Sequence, residues 1–241
     1  MRLICITDLH GRLAELERIV EDAGAADVLL LGGDLTDFGT PNVAQEVVQC
    51  AKQHCDTVLA VSGNCDSSLI DDRLIELGVS MFGCGVVYDD VGFYGVSAMP
   101  PWMGNMYELT EAEIAAALKQ GHGQLAPRRC DVLLSHTPPR DTRVDVTRTG
   151  GHVGSVSVRE FTERAGPALL VCGHIHEARG IDRLGSTTLV NCGPAFRGQY
   201  AVADVGVGGE GEVRAVLLRG GHRQDHYRVH LHRLSRLESS Q

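Results

Sequence analysis

The chain has 241 residues, is 43% hydrophobic and 5% aromatic, and carries a formal charge of −9. That apolar content suffices for a sizeable core, while the acidic balance excludes wrapping of long nucleic acid, which requires clustered Lys and Arg. No apolar run reaches the roughly 18–20 residues of a membrane span, and eight scattered cysteines read as buried reduced thiols, not a disulfide framework.

Met1-Arg2 leads straight into an apolar run over residues 3–7, with no secretory leader between, so a soluble cytoplasmic chain is expected. That run predicts a strand, and residues 12–23 predict a helix with Leu13, Leu16, Ile19 and Val20 on one face. Residues 28–31 predict a second strand, and a helix follows from Pro41 to about residue 54, proline suiting its first turn. A third strand at 57–61 and a third helix at 67–77 complete an alternation that predicts parallel pairing. Residues 86–88 and 91–96 flank a hairpin-like turn at Asp89-Asp90. Residues 110–119 predict a helix with Thr110 and Glu113 as a capping box. Strands follow at 132–135 and 168–172, with a helix at 155–165 between them. Short runs near 180–184, 187–191, 200–205 and 212–218, divided by Gly-rich turns, suit an antiparallel stretch of sheet. One domain is expected over residues 1–219. The tail at 220–241 holds four Arg against one Asp and one Glu, plus His222, His226, His230 and His232, and reads as a solvated or edge-packed basic terminus.

Five strand-like runs each end in residues capable of binding metal. These are Asp8-Leu9-His10, Gly33-Asp34-Leu35-Thr36-Asp37, Gly63-Asn64-Cys65-Asp66, Ser135-His136 and Gly173-His174-Ile175-His176. Asp8 to Asp34 is 26 residues and Asp34 to Asn64 is 30, close to the length of a βαβ unit. Ligand sites in open α/β sheets gather at the C-terminal strand edge, which is where all five segments fall. Carboxylate, imidazole and amide oxygen suit borderline and hard divalent ions, and the supply is enough for two ions sharing one carboxylate. Such a pair predicts hydrolysis of a phosphate ester. Taken singly, Asp37 reads as a helix cap.

The ordered set D-x-H, G-D-x-x-D, G-N-C-D, H and G-H-x-H, spanning residues 8 to 176, resembles the calcineurin-like metallophosphoesterase superfamily. Gly63-Asn64-Cys65-Asp66, with residues 96–107 and the turn at 151–155, is similar to its small prokaryotic branch related to cyclic-nucleotide phosphodiesterases. The resemblance implies an α/β fold, a four-layer αββα sandwich with mixed sheets. It also implies that one cation takes Asp8, His10, Asp34 and His176, and the other takes Asp34, Asn64, His136 and His174. Asp34 then bridges the two, and hydroxide held between them attacks phosphorus. Mn leads the expected metals, with Fe, Ni, Zn and Mg also compatible.

Cys65 departs from the commoner family form, which has His there to contact phosphate and protonate the leaving oxygen. A thiol is a weak donor, so Cys65 is expected to line the substrate and give less help to poor leaving groups. Asp66 is then expected only to cap the following helix. The segment at 97–107 holds Pro100-Pro101-Trp102-Met103 and offers an apolar wall for an organic group, or else a surface loop or dimer contact. His152 and Ser155 precede a helix whose first amides can hold a phosphate oxygen, with Ser155 alternatively a plain cap. The expected substrate is thus a small phosphate ester or nucleotide. A nuclease of the same superfamily and a catalytically silent scaffold are the alternatives. The sequence does not assign an oligomeric state.

Overall fold

The computed structural model describes residues 1–125, 131–206 and 213–220. Eleven strands form two sheets among these residues. The first sheet orders β1 (Arg2–Ile6), β2 (Val28–Gly32), β3 (Val58–Val61), β10 (Tyr200–Val205) and β11 (Val213–Arg219) as β11-β10-β1-β2-β3. The second orders β4 (Gly85–Tyr88), β5 (Val91–Val96), β6 (Asp131–Ser135), β7 (Leu169–Cys172), β8 (Gly180–Leu184) and β9 (Thr187–Asn191) as β4-β5-β6-β7-β9-β8. β1, β2 and β3 pair in parallel, as do β5, β6, β7 and β9, while the outer strands are antiparallel.

The central strands are apolar throughout because both of their faces are covered. Successive residues take opposite faces, and the two resulting sets of side chains separate cleanly. Ile4, Ile6, Leu29, Leu31, Val58 and Ala60 pack with helices α1 (Leu13–Ala23), α2 (Pro41–Lys52) and α3 (Ser68–Glu76). Their neighbours Leu3, Cys5, Val28, Leu30, Leu59 and Val61 meet Phe93, Val132, Leu134, Leu169, Val171 and Val190 of the other sheet. On the far side Tyr94, Leu133, Leu170 and Leu189 bury against α4 (Glu111–Gly123) and α5 (Val156–Ala165). Helices, sheet, sheet and helices are the four layers of the αββα sandwich. No helix of the described residues is long and apolar enough to cross a membrane.

The Thr110–Glu113 capping box forms as the motif dictates. The last four strands differ from a single antiparallel stretch. β8 and β9 make a hairpin, yet β9 also pairs in parallel with β7, and β10 and β11 belong to the other sheet. The chain crosses between sheets over residues 192–199, and turn composition carries no record of which sheet a strand joins. The seven described cysteines are free thiols. Cys130, Glu212 and the tail from 221 onward lie outside the described residues.

Candidate metal centre

Asp8, Asp34 and Asn64 follow β1, β2 and β3, while His136 and His174 follow β6 and β7. Five strand ends from two sheets therefore meet along one edge of the sandwich. The loops continue the pairing of their strands. Asp8 N donates to Gly33 O (3.0 Å), His10 N to Asp34 O (2.9 Å) and Gly173 N to His136 O (3.1 Å). The two sheets are joined where His136 Nδ1 bonds Gly32 O at 3.0 Å.

Asp8, His10, Asp34 and His174 all adopt left-handed backbone, with φ of 55°, 50°, 48° and 66°. A non-glycine residue there costs on the order of 1–2 kcal/mol, and such strain collects at functional sites. Small neighbours admit the close packing. A Cβ on Gly63 would lie 2.2 Å from Asp34 N and Oδ1, and one on Gly173 would lie 2.3 Å from Asp8 Oδ2.

The donor atoms converge in three overlapping sets, each with its atoms within 4.8 Å of one another: Asp8, His10 and His176; His10, Asp34 and Cys65; Asp8, Asp34 and His136. Asp34 joins the His10 side to the His136 side, the place expected of a shared carboxylate, and Asp8 also spans both. Asn64 Oδ1 reaches His136 Nε2 at 2.9 Å. The His174 ring lies beside that of His136, with centroids 5.1 Å apart, though its nitrogens belong to none of the three sets.

Two observations show that these groups suit cations. His136 Nδ1 faces a carbonyl and must donate, so in the neutral ring Nε2 carries a lone pair aimed at Asn64 Oδ1 and Asp34 Oδ1 (3.5 Å). In that form three acceptors face one another, an arrangement satisfied by a cation between them or by a proton on Nε2. His10 Nε2 is buried without a hydrogen-bond partner, 3.7 Å from Asp34 Oδ2. His176 Nε2 stands 3.4 Å from Asp8 Oδ1. Separations of 3.4–3.7 Å are long for hydrogen bonds. They approach the spacing of about 3–3.5 Å that two ligands of one ion adopt at bond lengths of about 2.0–2.2 Å.

Protonation favours the same use at Asp8 and His174. Burial alone raises the Asp8 carboxyl, but the His176 hydrogen bond and the charges of His136 and His176 outweigh it and bring it to about 2. Burial, reinforced by His136, lowers His174 to about 3 and keeps that ring neutral. His176 is raised, since Asp8 and Asp34 overcome its desolvation. Ionised carboxylates and neutral imidazoles are the metal-binding forms, so Asp8 and His174 rest in them, whereas His176 must give up a proton to bind.

Residues around the donors hold them. Asp66 does not cap α3, whose N-cap is Ser67. Its buried carboxylate instead accepts from Leu35 N, Thr36 N, the Thr36 hydroxyl and Gly63 N, bolting the Asp34 loop to the Asn64 loop. Asp37 is likewise no cap, because Thr40 precedes α2, and it lies exposed 4.0 Å from His10 Nδ1. Asp71, buried on α3, accepts from the Ser97 and Tyr107 hydroxyls, while Ser97 Oγ accepts from Ser62 N. Phe196 meets the rings of His10 and His176 edge-on, and its amide bonds Asp8 O. Sequence reasoning missed Asp71 and Phe196. A carboxylate on the apolar face of α3, beside Ile70 and Leu74, was the available signal for the first; the second had none.

Cys65 sits in the Asp34 loop contact, its amide on Asp34 Oδ1 at 2.7 Å, and burial followed by the Asp34 charge pushes its thiol far up. Trp102 is 72% exposed on a loop tied to the site through Tyr107 N on Asn64 O and Asn64 Nδ2 on Met106 Sδ. Ser155 caps α5 through Val158 N. The phosphate seat expected at that helix start is already filled: the Glu111 carboxylate accepts from Val156 N, Ser157 N and the Ser155 hydroxyl. His152 bonds Asp145 through Nδ1 at 2.6 Å.

Comparison with known proteins agrees with this fold. The family model for calcineurin-like phosphoesterases matches residues 1–178, and the chain belongs to that family. It is therefore a metallophosphoesterase-family member with candidate residues for divalent metals, a class of hydrolases. An uncharacterized protein of Methanocaldococcus jannaschii is 34% identical over 201 residues, 80% of this chain and 88% of that protein. Human metallophosphoesterase domain-containing protein 1 is 23% identical, matching 79% of this chain and 65% of its own length. Among solved structures, TT1561 of Thermus thermophilus superimposes with a TM-score of 0.67 at 16% identity, covering 84% of this chain and 93% of that one. A dimetal phosphatase from Danio rerio gives 0.56 at 11% identity, covering 91% and 95%. The structural likenesses speak for the fold.

Proposed function

We propose that this protein is a dinuclear-metal phosphodiesterase acting on a small organic phosphate or nucleotide. The observation that carries the reading is the convergence of Asp8, His10, Asp34, Asn64, His136, His174 and His176 on one edge, with Asp34 between the two halves. When bound, two divalent cations supply an activated water and neutralise charge on the phosphoryl oxygens. The N/O donor set accepts Mn first in our assignment, with Fe, Ni, Zn and Mg compatible.

The chain's own residues do the rest. Asp8, His10 and His176 would hold one cation, Asn64, His136 and His174 the other, and Asp34 both. Gly32 O fixes the His136 tautomer so that Nε2 presents its lone pair. Asn64 contributes a neutral oxygen, which limits negative charge where an anionic ester must bind. Trp102, exposed on the loop tied to Asn64, offers an apolar surface to the organic portion of the substrate. A net charge of −9 favours small substrates over long nucleic acid, and a cytoplasmic location accompanies the reduced thiols.

The test is reconstitution of the purified protein with each metal, followed by a panel of phosphodiesters and phosphomonoesters. Two equivalents of metal and preferential diester turnover are expected, both lost in Asp34→Asn. Metal binding without hydrolysis of any ester would overturn the assignment.

A further inference from the structure

A histidine–aspartate pair, outside the proposed ligand set, lies on a loop hydrogen-bonded to the segments that carry His174 and His176. Asp145 is fully buried, and its carboxylate accepts from the amides of Asp141, Thr142 and Gly154. It also holds His152 Nδ1 at 2.6 Å. That carboxylate is the hub of the loop over residues 139–154, so the orientation of His152 is set by a fixed, interior group. The ring's other nitrogen makes no hydrogen bond among the described residues, and the His152 side chain is 36% exposed.

The loop is fastened to the metal edge. Asn191 Nδ2 bonds Val144 O at 3.1 Å, and also Gly173 O and Ile175 O, the two carbonyls flanking His174. Arg148 N donates to Glu177, one residue beyond His176.

Topology removes the other imidazoles. Apart from the proposed ligands, the described histidines are His54, His122 and His152. His54 follows the C-terminal end of α2, and His122 lies in the last turn of α4 near Asp131 at the start of β6. Both ends are at the opposite edge of the sandwich. Near the centre, the Tyr107 hydroxyl is committed to Asp71 and the Cys65 sulfur accepts from Asn64 Nδ2.

Resting on the phosphodiesterase reading above, we propose that His152, oriented by Asp145, is the proton donor to the leaving-group oxygen, taking the part that Cys65 does not perform. A water oxygen forms the new bond to phosphorus, and the bond from phosphorus to the leaving oxygen breaks with its electron pair remaining on that oxygen. The proton on His152 Nε2 passes to it and releases the alcohol. Solvent, having received the proton lost by the attacking water, reprotonates the ring.

Leaving-group dependence tests this directly. Aryl methyl phosphodiesters from 4-nitrophenyl to unsubstituted phenyl would be assayed with wild type and His152→Gln, whose amide can still reach Asp145. Turnover of the phenyl ester should fall about a hundredfold in the variant, within the range of general acid catalysis. The nitrophenyl ester, whose leaving group needs little protonation, should fall far less, at unchanged metal content. A parallel loss on both esters, or none, overturns the proton-donor role while leaving the phosphodiesterase reading intact. Wild type inactive on every ester sinks both. Independently of turnover, the His152 ring signals in Zn-loaded wild type should shift when inorganic phosphate is added; signals that stay fixed while phosphate binds overturn the role.

Discussion

Gly63 offers the most direct test of how the centre is built. A methyl group placed there would sit 2.2 Å from Asp34 N and Asp34 Oδ1 and 2.7 Å from His136 Cε1. Ordinary contact begins at 3.4 Å, so Asp34 or the β3 loop must yield by about 1 Å, and overpacking of this kind costs about 1–3 kcal/mol. Asp34 cannot yield cheaply, because its Oδ1 accepts Cys65 N at 2.7 Å and Asp66 grips both loops. Gly63→Ala should therefore lower thermal stability and reduce metal occupancy together. Gly123→Ala is the matched control: it closes α4, meets nothing within 4 Å, and should be neutral or stabilising by about 0.5–1 kcal/mol. Thermal melts and metal analysis of both variants decide the matter. Should Gly63→Ala match Gly123→Ala in both measurements, close loop packing does not set the metal positions.

Other perturbations separate the remaining parts. Cys65→His should raise turnover of esters with poor leaving groups by supplying a second donor, and an unchanged or lower rate refutes the idea that proton donation is limiting. Tyr107→Phe removes a 2.7 Å bond to buried Asp71 and should cost about 1–3 kcal/mol of stability, read by denaturant unfolding. The Asp8 carboxyl is depressed to about 2 from 3.8, so its contribution is present above about pH 4 and is lost as pH falls toward 2. The metal-free protein should lose roughly 2 kcal/mol over that window through this group, at about 1.4 kcal/mol per unit. Asp8→Asn should remove that part of the acid slope, as chemical denaturation across the pH series will show.

The alternation of apolar runs and amphipathic segments was enough to mark every described strand and α-helix, because period and punctuation are local properties. The short central strands, buried on both faces, announced a covered parallel sheet, and the Thr110–Glu113 capping box marked its helix. The candidate ligand residues were legible for a similar reason: a site at a strand edge draws on short segments placed directly after apolar runs. Asp66 and Asp37 were misjudged as caps because a carboxylate before a helix has the same local appearance whether it caps or bolts two loops, while Ser155 is the plain cap that was one of its two readings.

Sequence by itself thus determined the elements and singled out the candidate donor residues, which follow from side-chain type and spacing along one chain. Tertiary structure alone decided the split of the last four strands between two sheets, the Asp66 bolt across 31 residues and the Glu111 carboxylate at α5. It also decided the pairing of His152 with Asp145. Each of these depends on groups distant in sequence, or turned toward one another by loop conformation. Hydrogen bonding between them is selected by burial in the folded state, and no local pattern encodes it.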